Sequence, residues 1–164
     1  MSYMLRRVAL LATAAAGASV LVGGPAFAQQ PTFEHFGGSF TEVDDETCGF
    51  PITIEETFSA DVIFFYDAAG NLVRSINHLQ LRGTDSANGV SLAQNANFTH
   101  TFDFTTGTNG DLGLQTQVIV PGGGTVLIEA GRVLSDEEGN LQFVAGKHQL
   151  IAGDVSAYCA ALSG

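Results

Sequence analysis

The chain has 164 residues, no tryptophan, two cysteines, and 17 acidic against six basic residues. An acidic balance with scattered Lys and Arg excludes nucleic acid and anionic membrane surfaces as partners, since both demand clustered positive charge. Two cysteines cannot supply a cysteine-rich zinc site, but they suffice for one disulfide.

Residues 1–28 read as a secretory signal peptide. Arg6 and Arg7 form a basic start, 8–22 is apolar, Gly23-Gly24-Pro25 breaks the run, and Ala26-Phe27-Ala28 matches a small-x-small cleavage site. The apolar run falls short of the roughly 20 residues a membrane span needs. The arginine pair reads as an ordinary basic start rather than a twin-arginine signal. Cleavage after Ala28 yields a secreted chain without a membrane span. All 17 acidic residues follow the cut, with only Arg74, Arg82, Arg132 and Lys147 against them, so the mature net charge is −13.

Residues 29–47 are rich in Gly, Thr, Phe and acid and are expected to form a partly ordered lead-in, ending in a short strand. From Cys48 the pattern becomes period two, and residues 48–164 are read as a single domain. Segments 52–58, 62–66, 72–81, 90–96, 98–105, 112–120, 125–134 and 141–147 are predicted strands. A break is expected at Ser59-Ala60-Asp61, a bulge near Asn77-His78, and a loop over 82–89. Asp67-Ala68-Ala69-Gly70-Asn71, 106–111, Pro121-Gly122-Gly123-Gly124 and 135–140 are predicted turns. Asp154 is placed as the cap of a short final helix through Leu162. About eight strands joined by hairpin turns give an antiparallel all-β domain. An up-and-down β-barrel with a short C-terminal helix is expected, because closure removes exposed edges; a β-sandwich is the alternative.

Cys48 heads the first of these strands and Cys159 lies in the final helix, so one disulfide is expected to close the domain, with Cα atoms about 4.4–6.8 Å apart. No nucleophile elbow, zinc-helix motif or phosphate-binding loop is present. His35, His78, His100 and His148 show no metal-ligand spacing, and the carboxylates of 136–140 lack the EF-hand pattern, so neither metal nor cofactor is expected. His100 stands out because it shares parity with Phe98, Phe102 and Phe104. It reads either as a satisfied core histidine or as a ligand-orienting or acid–base group. Glu129 and Arg132 lie in one strand at opposite parity, Arg132 with Val126, Ile128 and Ala130. Tyr66 shares parity with Phe64 and offers a hydroxyl to the same side. The candidate ligand-binding set is therefore His100, Tyr66, Glu129, Arg132, Phe64, Phe98, Phe102 and Phe104, with a small apolar molecule as occupant. Three functions compete: a secreted binding or interaction module, an isomerase- or cyclase-type enzyme working in the cavity, and a structural envelope protein with a filled core.

Cys48-Gly49-Phe50-Pro51, Gly131-Arg132-Val133 and Tyr158-Cys159-Ala160-Ala161-Leu162 resemble the layout of small secreted actinobacterial proteins of unknown function. That resemblance implies a shared fold and no activity. In strand number and size the chain is also similar to the barrels of allene oxide cyclases and dirigent proteins, a likeness that carries over no catalytic residue.

Overall fold

Alternating apolar and polar side chains are satisfied in a strand when one face is covered and the other wet. The chain meets that condition with one sheet. In the computed structural model, which describes residues 29–164, seven strands run in sequence order, each antiparallel to its neighbours. They are β1 (Thr32–Asp44), β2 (Ile52–Tyr66), β3 (Leu72–Ala87), β4 (Val90–Asp103), β5 (Thr108–Val120), β6 (Gly124–Ser135) and β7 (Leu141–His148). Two short helices follow, α1 (Gln149–Ala152) and α2 (Ser156–Leu162). The antiparallel all-β class and the C-terminal helix are as expected. The signal-peptide reading lies outside the described residues.

The strand bookkeeping differs from the expectation of eight. Residues 29–47 are not a lead-in: β1 pairs with β2 from Thr32↔Phe64 to Asp44↔Ile52. Ser59-Ala60-Asp61 does not break β2, because small Ala60 faces inward while Ser59 and Asp61 face out. The loop over 82–89 is strand up to Ala87, and only Asn88 and Gly89 turn, both at positive φ (51° and 81°), as a two-residue hairpin connection requires. The β3–β4 register runs unbroken through Asn77 and His78; irregularities fall instead at Phe65/Tyr66, Asn95/Asn97, Leu114/Thr116, Val118/Ile119 and Leu134/Ser135. Among the described residues β1 and β7 are edges and do not pair, so hydrogen bonding does not close the sheet into a ring.

The register assigns every side chain a face. One face, here the inner one, carries Ile52, Ile54, Ala87, Leu92, Val118 and Leu127, covered by Tyr158 and Leu162 of α2. Asp154 does not cap that helix; Val155 occupies the position and no side-chain bond is made there. The Cys48–Cys159 disulfide, with Cα atoms 5.3 Å apart, ties α2 to the entrance of β2. Asn88 of the β3–β4 turn donates its amide to the Leu162 carbonyl at 3.0 Å and fixes the other side of the cap. Further along the same face Ala60, Val62 and Leu79 form a second cluster with Phe64, Leu81 and Phe98, and no residue of α1 or α2 belongs to it. Between the two ends Gly113, Gly131 and Gly146 are direct partners on β5, β6 and β7, at φ 125°, 141° and 123°. A Cβ on Gly131 would lie 2.1 Å from the Ala145 carbonyl oxygen, so only glycine fits this close crossing.

Candidate functional site

The half of the inner face away from α1 and α2 gathers most of the candidates. Val62, Asn77, His100, Asp111 and Val133 form one row across five strands, and Phe64, Ser75, Phe102 and Asn109 form the next. Phe98 lies one row toward the cap, opposite Leu79. Phe64, Phe98 and Phe102 are half-buried. Phe104, just beyond β4, is 45% exposed and packs its ring 4.3 Å from that of Phe102.

His100 is 4% exposed, and its Nδ1 lies 2.8 Å from Asp111 Oδ1 on the neighbouring strand. A carboxylate only accepts, so the His100 Nδ1–H donates to Asp111, which fixes the orientation of the ring. Asn77, directly opposite on β3, has a buried Oδ1 with no hydrogen-bond partner. Asp111 keeps a quarter of its side chain exposed and marks the side from which this row opens. The sequence reading missed Asn77 and Asp111. Asp111 was legible by counting back from the Asp103↔Thr108 hairpin pair, which puts residue 111 opposite residue 100.

The remaining candidates do not converge on His100. Glu129 is inner and fully buried, but its carboxylate accepts the Leu150 backbone N–H and lies 3.1 Å from His148 Nδ1. His148 Nε2 in turn donates to the Ala145 carbonyl at 3.2 Å. Burial raises the Glu129 carboxyl above its ordinary pKa, against the pull of the Leu150 N–H and of His148. This pair anchors the start of α1 to β6. Arg132 is on the outer face, with its guanidinium 5.8 Å over the Phe143 ring. Tyr66, beyond the register shift, places its hydroxyl 3.3 Å from Thr32 Oγ1 at the strand ends.

Nearer the cap, Glu42, Glu56 and Asp85 also face inward, and Asp85 accepts a 2.6 Å hydrogen bond from the Tyr158 hydroxyl. No group of three or more His, Cys, Asp or Glu side chains among the described residues is arranged to hold a metal. The turn acids are occupied locally: Asp67 and Asp136 each accept the backbone N–H and side-chain amide of an asparagine four residues on, and Asp103 accepts from Thr105 and Thr106. These hydrogen bonds hold all three carboxyls below their ordinary pKa. Two depressions mark the surface elsewhere. One of about 540 Å³ lies along β3 and β4 beside Gln80, Arg82, Asn95 and Asn97. One of about 270 Å³ lies at Phe65, Arg74 and Asp103, where the Arg74 guanidinium sits 4.5 Å over the Phe65 ring. No helix among the described residues is long and apolar enough to cross a membrane.

Comparison with family models, curated proteins and solved structures finds no match.

Proposed function

We propose that this is a secreted binding module that holds a small apolar molecule on the part of its inner face away from α1 and α2. One observation carries the reading: half-buried Phe64, Phe98 and Phe102 lie in the rows at and beside the buried His100 and its partner Asp111, on a part of the inner face that neither α1 nor α2 packs against. Aromatic walls with one fixed polar anchor are what such sites are made of. A disulfide that pins the cap, on a chain whose start reads as a signal peptide, fits an oxidising compartment. The secreted actinobacterial layout noted above is proposed to share this arrangement.

An isomerase- or cyclase-type activity is the second reading, favoured by the oriented His100 imidazole, which could serve as a base. Apart from Asp111, none of the other polar candidates joins that ring, because Glu129 bonds His148 and Leu150, Arg132 lies outside, and Tyr66 bonds Thr32.

Mass spectrometry of lipophilic material co-purifying with the natively exported protein tests the proposal. A recurrent apolar compound, lost from a His100→Ala variant that still melts cooperatively, is the expected outcome. Nothing bound, or a variant that loses stability while retaining the compound, would remove it.

A further inference from the structure

We infer that the chain forms a two-fold dimer in which β1 of one copy pairs antiparallel with β1 of a second copy. The inference concerns the free edge of the sheet and is independent of what the inner face holds.

The two edges are unequal. An unpaired strand edge offers a row of backbone N–H and C=O groups to any other strand, and β-sheet proteins protect such edges with bulges, prolines, lysines or short length. β7 carries three of these features: it has eight residues, a register shift at Leu134/Ser135 against β6, and Lys147. β1 carries none of them. Its 13 residues pair with β2 without a register shift, and the strand holds no proline, lysine or arginine. Its carboxylates, Glu34, Glu42 and Asp44, sit toward the two ends and leave residues 36–41 without one. Among the described residues six of the eight exposed large apolar side chains lie on the two edge strands, Phe33, Phe36 and Val43 of them on β1.

β1 is complementary to itself. Turned about a two-fold axis through Gly38, normal to the sheet, it meets its own copy over all 13 residues, with inner face continuing inner face. Phe33, 73% exposed, then stands opposite Val43 of the other copy, 59% exposed, on the outer face. Phe36 stands opposite Phe40 of the other copy on the inner face, and the Phe40 ring already lies 6.4 Å from that of Phe58. Each contact occurs twice, and cross-strand aromatic and aliphatic pairs stabilise a sheet. Gly38 puts no side chain on the axis. Glu34 meets Glu42 of the other copy, a like-charge row that salt screens. A strand of an unrelated protein would match the backbone but is not bound to repeat this spacing. Pairing β1 with β7 of a second copy would run head to tail and leave a free edge at each end.

The test is sedimentation equilibrium of the disulfide-bonded chain, residues 29–164, in about 0.15 M salt, where surface charges are screened beyond about 8 Å. A dimer mass is expected. Phe33→Lys and Val43→Glu, both at exposed positions, are each expected to weaken the dimer about tenfold or more while melting stays cooperative. The double variant sets each new lysine opposite a new glutamate and regains the dimer, a rescue that misfolding cannot mimic and that depends on this register. Phe143→Glu, on β7, leaves the mass unchanged. A monomer at every concentration overturns the inference, whether the edge is then free or taken by a strand of another protein. Dissociation by Phe143→Glu, or a double variant that stays monomeric, overturns the pairing of β1 with itself.

Discussion

Glu129 and His148 share one proton between two buried groups. His148 Nε2 must carry hydrogen to reach the Ala145 carbonyl, so the 3.1 Å contact between Nδ1 and Glu129 Oε2 is bridged by a single proton on one side or the other. Glu129→Ala strands the Leu150 N–H and the imidazole away from water and is expected to cost about 2–4 kcal/mol in urea unfolding. Glu129→Gln keeps an acceptor for Leu150 and a donor for His148, so it should stay within about 1 kcal/mol of the parent. The pH dependence has a definite sign. The Glu129 carboxyl is raised on folding, so its contribution is full below the ordinary carboxylate range and declines as pH rises through the raised value. The Gln variant should therefore gain on the parent with rising pH, and a constant gap would refute this. The sequence placed Glu129 and Arg132 on opposite faces correctly. It could not say which face was inner, because Val126, Ile128 and Ala130 on the outer side are as apolar as Leu127 and Val133 on the inner.

At the scale of elements, turn chemistry and glycine placement shape the sheet. The loops Asp67-Ala68-Ala69-Gly70-Asn71 and Asp136-Glu137-Glu138-Gly139-Asn140 repeat one device, an aspartate gripping an asparagine four residues on with a positive-φ glycine between. Since Asp67, Asp103 and Asp136 titrate below their ordinary range, the stability they add is present above the unfolded carboxylate pKa and is lost as pH falls through the lowered values. Replacing all three by Asn should flatten the acid limb of a melting-temperature profile; an unchanged limb would count against this role. Gly131→Ala sets a methyl against the Ala145 carbonyl in a backbone region that L-residues avoid, and should cost about 3 kcal/mol or more, or abolish folding. Gly122→Ala, at φ 73° with nothing within 4 Å, carries only the backbone strain and should cost about 1 kcal/mol. Denaturant midpoints for the pair decide whether the close crossing matters. Most turns were legible because Gly, Asn and Asp mark them. The Asn88-Gly89 turn was legible too, yet polar Arg82, Thr84 and Ser86 disguised the strand before it, although they only mark its outer face. β1 was hidden by Gly37-Gly38, which sit where the Phe58 ring and backbone pass close.

At the scale of the whole molecule, the described helices cap one end of the sheet. The disulfide spans 111 residues, so replacing both cysteines by serine should lower stability by about 2–4 kcal/mol, read as a urea midpoint. Amides around Ile52, Leu92 and Leu127 beneath the cap should then exchange faster, while those around Val62 and Leu79 change less. Equal acceleration at both ends would show that the two clusters are one unit. The bracket formed by Cys48 and Cys159 was plain in the sequence. The site was half legible: the parity of Phe98, His100 and Phe102 announced it, but its partners Asn77 and Asp111 lie on other strands, where only register reveals them.

The meander also sets an order in time. Every strand pairs with the one before it, so the sheet can be laid down progressively as the chain emerges, each hairpin closing on a finished neighbour. Among the described elements the cap is the one that reaches back, from residue 159 to residue 48, and it cannot lock until the seventh strand has been delivered. Oxidation is thus the closing act of assembly, and the bond records that every strand is in place.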